Sequence, residues 1–418
     1  MTRSDQAFQV DQPRMRQKIC FFGNFGAGNF GNDCTLQAIL SNLANHLPEL
    51  EVTCICTCPE ETSSKFHICA AIPIRDKPQS HLQSRALRFV RRLFIGIPLE
   101  LRRCFKAMSL LRASEMLVMT GTGMLGDFGI SPFDLHYDIL RWSLLAKLCR
   151  CRLFFVSVGV GPIRHPLSRC FVKAALALAD YRSYRDDFSR QYLESIGFRT
   201  TTDSVYPDLA FSLPGLLTPQ PCAEVGCSSV VGLGIMTYFN KRASSGGDET
   251  TYREYLSKIG SFVTWLLEHN YTVRLLIGDA VWDDRVRRDL KALLEGAGWK
   301  YQNERIIDEP ISSFDDVVSQ IATTECVVAS RFHNILLALM LNKPVLAISY
   351  HEKVDSLMKW LGLTHFCQDI EQFDVPTLTR QLTEVQEHSQ ILKKQIADRI
   401  TTFRKDLDDQ YDHIFASQ

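Results

Sequence analysis

Short, nearly uninterrupted apolar runs alternate along this chain with longer stretches of helical period. QKICFFG (17–23), LEVTCICT (50–57), LVMTG (117–121) and RLFFVSVGV (152–160) read as strands, and the patterns over Cys34–His46 and Phe133–Cys149 read as helices. A strand that is apolar at nearly every position has no face to offer to water. It belongs in a parallel sheet covered on both sides by the helices that connect its strands. The first half is therefore predicted to be a doubly wound α/β domain.

The rhythm breaks in LPGLLTPQPCAEVGCS (213–228), where Pro, Gly and small polar residues take over, and then resumes. SVVGLGI, YTVRLLIG, a short run near Arg305–Ile307, ECVVAS and PVLAIS predict strands, with helices over Tyr252–His269, Asp284–Leu294 and Phe332–Leu341. The expected division is an N-terminal α/β domain over 18–212, a second α/β domain over 229–374, and a helical tail over 375–418 that crosses back to the first domain. Two doubly wound parallel-sheet domains facing across a cleft make a GT-B-like architecture, with the cleft as the expected ligand site.

Charge narrows the ligand. Lys plus Arg and Asp plus Glu both number 47 in the 418 residues, so nothing favours nucleic acid and any anion site must be local. Hydrophobic residues at 45% and charged residues at 22% are ordinary for a soluble protein, and no run has the apolar length of a membrane-spanning helix. The first residues, MTRSDQAFQVDQPRMRQ, lack the apolar core of an export signal, so a cytoplasmic location is expected, where the 14 cysteines stay reduced. Cys54, Cys56 and Cys58 alternate in EVTCICTC, which sets their thiols on one face of a strand rather than around an ion. Strand packing is expected there, and no metal. The segment 85–115 is unbalanced: Arg85, Arg88, Arg91, Arg92, Arg102, Arg103, Lys106 and Arg112 stand against Glu100 and Glu115 alone. It is either a solvated helical face or, through residues 85–112, a contact with anionic headgroups at the inner face of a membrane.

Four segments carry candidate chemistry. The first strand runs into a loop holding Gly28, Asn29, Gly31, Asn32 and Asp33, where glycines permit a tight turn and the following helix offers free N–H groups to a ligand. A second glycine loop, Gly121 to Gly126 with Gly123 inside it, ends the strand LVMTG and is followed by Asp127, which either deprotonates a hydroxyl or caps the next helix. SVGVGPI (157–163) shapes a third loop. In YRSYRDDFSRQYLESIG, Arg182 and Arg185 end a short strand and Asp186 or Asp187 caps the helix after it. Arg185 has the planar fork that suits a carboxylate or phosphate, its alternative being an ion pair with Asp186 or Asp208. The fourth, ASRFHNILLALMLNKPVLAISYHEKV, places Arg331 and His333 at a helix start and Lys353 after the next strand, so two cations and an imidazole converge at a positive helix end.

Taken together, GNFGNDCTLQAIL, the glycine turn at 121–127, SVGVGPI, Arg185-Asp186-Asp187-Phe188-Ser189 and the Arg331/His333/Lys353 segment resemble the polysaccharide pyruvyltransferase family over about residues 18–362. Asn32-Asp33 is a variant of that family's turn. The resemblance implies an enzyme that takes pyruvate from phosphoenolpyruvate and closes it as a ketal on two hydroxyls of a sugar, releasing phosphate. His333 would be its general acid or base, with Asp127 acting on the acceptor. Arg331, Lys353 and Arg185 would hold the donor's carboxylate and phosphate. No cofactor is implied, and the partners would be phosphoenolpyruvate and a glycan or lipid-linked oligosaccharide. Two other readings remain. A GT-B glycosyltransferase would need an acid in the second domain for a nucleotide ribose, with Glu309 and Glu325 as candidates. A non-catalytic glycan-binding protein would have no use for a protonating group among anion clamps. Tyr137, Tyr238, Phe239 and Trp282 are placed as acceptor-contacting aromatics.

Overall fold

The computed structural model describes residues 18–46, 50–68, 70–74, 97–126, 130–215, 229–239, 249–278, 283–300, 305–311 and 313–416. In the first half they form β1 (Lys18–Gly23), α1 (Phe30–His46), β2 (Glu51–Cys56), α2 (Pro59–Phe66), β3 (Ala70–Pro73), α3 (Ile97–Arg112), β4 (Met116–Met119), α4 (Leu135–Leu148), β5 (Arg152–Val158), α5 (Pro166–Ala177), β6 (Tyr181–Tyr184), α6 (Asp187–Ser195) and β7 (Ser204–Val205). The seven strands make one sheet in the order β3-β2-β1-β4-β5-β6-β7, and all its pairs are parallel.

Within β1, residues alternate between two cores. Ile19 and Phe21 face one side of the sheet, packed with Phe154 and α1, while Cys20 and Phe22 face the other, under α3, α4 and α5. Both faces are buried, which is why the strand sequence shows no polar alternation. Cys54 and Cys56 lie together on one face of β2, packed in the core, and burial pushes the Cys56 thiol up to about 11.

The second half repeats the plan: β8 (Val230–Ile235), α7 (Glu249–Glu268), β9 (Thr272–Ile277), α8 (Asp284–Gly296), β10 (Ile306–Ile307), α9 (Phe314–Ala322), β11 (Cys326–Ala329), α10 (Phe332–Met340), β12 (Val345–Ser349), α11 (Glu352–Trp360) and β13 (Cys367–Asp369). This six-stranded sheet has the order β10-β9-β8-β11-β12-β13, again parallel throughout. In each sheet the strand order reverses once, between β1 and β4 and between β8 and β11. Loops at the carboxyl ends of strands part at such a point and leave a crevice for ligand. The segment 216–228, which contains most of the expected domain boundary, lies outside the described residues, as do Arg85, Arg88, Arg91 and Arg92.

Two boundaries differ from expectation. Helix α1 starts at Phe30 rather than Cys34, because the Asn29 side chain accepts from the backbone N–H of Gly31 at 3.2 Å and of Asn32 at 3.4 Å, capping the helix one turn earlier. The tail is two helices, α12 (Val375–Glu387) and α13 (Ser389–Tyr411), parted at His388. Helix α13 reaches the first sheet. Arg404 donates to the carbonyls of Phe211 and Leu213, both at 3.1 Å, and the Tyr411 hydroxyl meets Ser212 at 3.0 Å. Gln410, fully buried, accepts from the Ser157 hydroxyl at 3.0 Å and donates to Ser183 at 2.7 Å and Tyr181 at 3.2 Å. Gln410→Ala leaves the Ser157 hydroxyl without its acceptor in a dry site. It is expected to destabilise the protein by about 1–3 kcal/mol, read as a lower urea midpoint with an unchanged slope.

Candidate active site

Helix α10 begins where β11 ends, at the reversal point of the second sheet, with Arg331 in its N-cap position and Phe332 and His333 in its first turn. The glycine loop after β1 lies at the reversal point of the first. The two meet: a side-chain carbon added at Gly31 would fall 2.0 Å from the His333 ring, so the imidazole occupies the volume a side chain at 31 would need. Phe332 stands between two cations, with the Arg185 guanidinium carbon 5.3 Å from its ring centre and the Lys353 ammonium 5.2 Å away. His333, Arg331, Lys353 and Arg185, separate in sequence, thus form one cluster between the two sheets.

The cations differ in what already holds them. Arg331 grips the fully buried Asp283 through Nε (2.9 Å) and Nη2. Arg185 gives Nη1 to Asp208 at 3.1 Å and lies 3.7 Å from Asp186, so the ion pairs read as an alternative to anion binding are present. Lys353 has no carboxylate partner among the described residues; its ammonium lies 4.9 Å from the centre of the Tyr350 ring. Two guanidinium groups are therefore fixed in place by buried acids, while one ammonium carries uncompensated charge.

Titration follows from this layout. Burial, then Lys353, Arg185 and Arg331, hold the His333 imidazole well below its ordinary value, so it is neutral. Burial pushes the Tyr350 phenol up, but Lys353, Arg331 and Arg185 outweigh it and leave the phenol below the usual tyrosine value. Asp208 is raised by burial despite Arg185.

The remaining predicted residues serve other ends. Gly28 turns the loop tip with a φ of 78°, in the left-handed region. Asn32 donates to the Asn24 carbonyl at 3.2 Å, and Asp33, buried, accepts from the Gly26 N–H at 3.1 Å and from Lys65 at 2.7 Å. Asn29, Asn32 and Asp33 are thus committed to the shape of their own loop, and Gly31 brings that loop to the cluster. Gly121 is sealed beneath the Ser157 carbonyl and Leu209, whereas Gly123 and Gly126 line the cleft opposite Lys353 and His351. Asp127 lies outside the described residues, as does Trp282. Arg182 is taken by a two-pronged pair with Asp203, both bonds 2.9 Å. The aromatics placed toward an acceptor are engaged elsewhere. Tyr137 packs on Phe133 and Phe171, Tyr238 is buried with its hydroxyl on Glu371, and Phe239 stacks near Tyr252.

Asp283 and Tyr350 escaped the sequence reading, whereas Asp208 was named there as an alternative partner of Arg185. Asp283 sits in the first acidic pair of α8, a signal that read as a helix start. The candidate ribose acids are poorly placed: Glu325 precedes β11, at the amino end of a central strand and so away from the loops at the carboxyl ends, and Glu309 is paired with Arg274.

A sequence model of the family described as Polysaccharide pyruvyl transferase matches residues 29–352. Among curated proteins, Amylovoran biosynthesis protein AmsJ of Erwinia amylovora is 20% identical over 408 residues, covering 91% of this chain and 94% of that protein. Among solved structures, a putative UDP-N-acetylglucosamine 2-epimerase from Listeria monocytogenes superposes with a TM-score of 0.58 at 12% identity over 91% of both chains. A glycosyltransferase from Rickettsia africae gives 0.58 at 10% identity over 96% of this chain and 98% of its own. These structures share the two-domain GT-B-type fold.

The half-buried, neutral imidazole gives a test of the geometry. An unfolded chain protonates His333 near pH 6.5 while the folded one resists, so its contribution to stability is full above that value and is lost as pH falls below it. Relative to His333→Gln, the wild type is expected to lose at most about 1.4 kcal/mol per pH unit more on acidification below about 6.5, measured by urea unfolding across pH.

Proposed function

The chain belongs to the polysaccharide pyruvyl transferase family, and from that premise we propose that it takes pyruvate from phosphoenolpyruvate and closes it as a ketal on two hydroxyls of one sugar, releasing phosphate. That the protein is a transferase of polysaccharide pyruvylation follows from the family. The donor and the ketal are our reading, and the observation that carries it is a neutral imidazole ringed by three cations, one of them without an acid partner among the described residues.

Phosphoenolpyruvate brings a carboxylate and a phosphate joined through a polarised double bond. Lys353, with its uncompensated charge, is the primary clamp. Arg331 and Arg185, already oriented by Asp283 and Asp208, offer the guanidinium N–H groups those acids do not use. Arrival of the anion offsets the positive charge around His333 and raises its affinity for a proton, so the proton is recruited along with the donor. The imidazolium then protonates C3 and C2 becomes electrophilic. A sugar hydroxyl attacks C2 and gives its proton to the now neutral imidazole. The C2–O bond to phosphate breaks, the second hydroxyl closes the ring, and its proton leaves with the phosphate as the monohydrogen anion. The cleft floor at Gly123, Gly126 and Gly161 has no side chains to obstruct an acceptor sugar approaching Lys353. Asp127, next to Gly126, is the proposed second group on the acceptor hydroxyls. The relative named for amylovoran biosynthesis supports an exopolysaccharide unit or its lipid-linked precursor as acceptor.

The test is phosphate release from phosphoenolpyruvate over a panel of lipid-linked and p-nitrophenyl glycosides. Release should require a glycoside and yield a product whose mass is acceptor plus pyruvate less water. Lys353→Ala is expected to lower kcat/KM on the order of a hundredfold or more, and His333→Ala to lower kcat by a similar factor. A protein that binds a nucleotide sugar and leaves phosphoenolpyruvate untouched would overturn the assignment.

A further inference from the structure

Helices α3 and α4 cover the same face of the first sheet and run side by side in the same direction. Arg141 of α4 donates to Glu100 of α3 at 2.8 Å, and the Cys149 thiol at the end of α4 meets the Met108 carbonyl at 3.6 Å. The same sequence offset joins both pairs, so the helices are in step. On α3, Leu101 and Phe105 are 55% and 69% exposed; on α4, Leu144 and Leu148 are 45% and 71% exposed. Each pair is four residues apart and so shares one face of its helix. Both faces border the seam between the helices on the side away from the sheet, which makes one apolar ridge.

Single exposed leucines are ordinary on a protein surface, but four large apolar side chains gathered on a helix pair are not. The rim is cationic. Arg102, Lys106 and Arg112 are exposed and make no ion pair among the described residues. The nearby acids are engaged: Glu100 is held by Arg141 and Arg103, and Asp138 lies 3.4 Å from Arg141.

We propose that the α3–α4 ridge seats this enzyme on an anionic lipid surface, with Phe105, Leu101, Leu144 and Leu148 entering the headgroup boundary and Arg102, Lys106 and Arg112 meeting the lipid charge. A second copy of the chain fits less well, because a two-fold contact through this face would set Arg102 and Lys106 against the same cations. The described residues hold no helix able to cross a membrane, so the contact is one that lies on the bilayer. The sequence left the basic segment open between a solvated face and a headgroup contact. The structure adds α4, whose two leucines turn a charged helix into an amphipathic surface. This inference concerns where the enzyme works and does not depend on its donor.

The experiment is co-sedimentation of the full chain with vesicles of phosphatidylcholine alone or mixed with phosphatidylglycerol, at low and high salt, alongside light scattering of the free protein. Sedimentation with the anionic vesicles, weakened by salt and reduced at least about tenfold in Leu101→Ser/Phe105→Ser and in Arg102→Glu/Lys106→Glu, is the expected result. Leu144→Ser/Leu148→Ser, on the other helix, should show the same loss, and all three should keep the wild-type urea midpoint, so that lost sedimentation reports the surface and not the fold. Wild type remaining in solution with anionic vesicles, variants that sediment like wild type, or a dimer abolished by Leu101→Ser/Phe105→Ser would each overturn the proposal.

Discussion

The imidazole of His333 lies where a side chain at position 31 would have to be, and much of the site depends on that exclusion. Each sheet alone offers only a crevice at its reversal point. The glycine lets the backbone of the first domain close directly over the side chain of the second, which removes water from one side of the ring and makes burial the leading cause of its depressed proton affinity. A similar device seats Arg185, since a side-chain carbon at Gly159 would fall 2.5 Å from its Nε. The Gly31 loop was read from the sequence for ligand approach and the Gly159 loop for backbone shape. Their observed contribution is space for the side chains of His333 and Arg185.

Close approach between domains needs something to hold it. The buried polar knot at Gln410, the Tyr411–Ser212 contact and the Arg404 bonds to Phe211 and Leu213 tie the last helix to the first domain, while Gln395 of the same helix donates to the Leu361 carbonyl of the second at 2.7 Å. Trp360 adds a direct bond from α11 to Asp187 of α6 at 3.3 Å. These bonds lie on the flank of the cleft and leave its glycine-lined floor open.

The strands were legible because strands buried on both faces leave no polar residue to mislead the eye, and the cationic cluster because Arg331, His333 and Lys353 come from adjacent strand ends of one domain. Elements with weaker apolar signals were passed over: β3 is four residues long and half-buried, and α2 is polar on most of its surface. Of the counter-acids, Asp208 was legible because it follows Arg185 by 23 positions in the same domain, but Asp283 was not. Asp283 is 48 positions from Arg331 along the chain, and nothing in a helix-starting acidic pair says which arginine it will face. Asn29, Asn32 and Asp33 resemble ligand groups in the sequence; in the structure their hydrogen bonds shape the turn and, through Lys65, tie it to α2. Position near a strand end does not separate a ring turned into the core, such as Tyr238, from one lining a cleft.

The balance of charge explains why the cluster is stable without ligand and still receptive to one. Three unpaired cations around a half-buried ring would repel one another strongly where water is partly excluded. Asp283 and Asp208 relieve that cost and fix the guanidinium planes, so that little conformational freedom is lost when an anion arrives. Lys353 is left with a phenol and two aromatic faces, which shelter its charge without cancelling it. A neutral ligand would gain little from such a site and would leave the imidazole neutral. In the proposed reaction, an anion with more than one charge satisfies the lysine, overcompensates the cluster and draws a proton onto His333. On that proposal, donor recognition and activation of the proton donor are one electrostatic event.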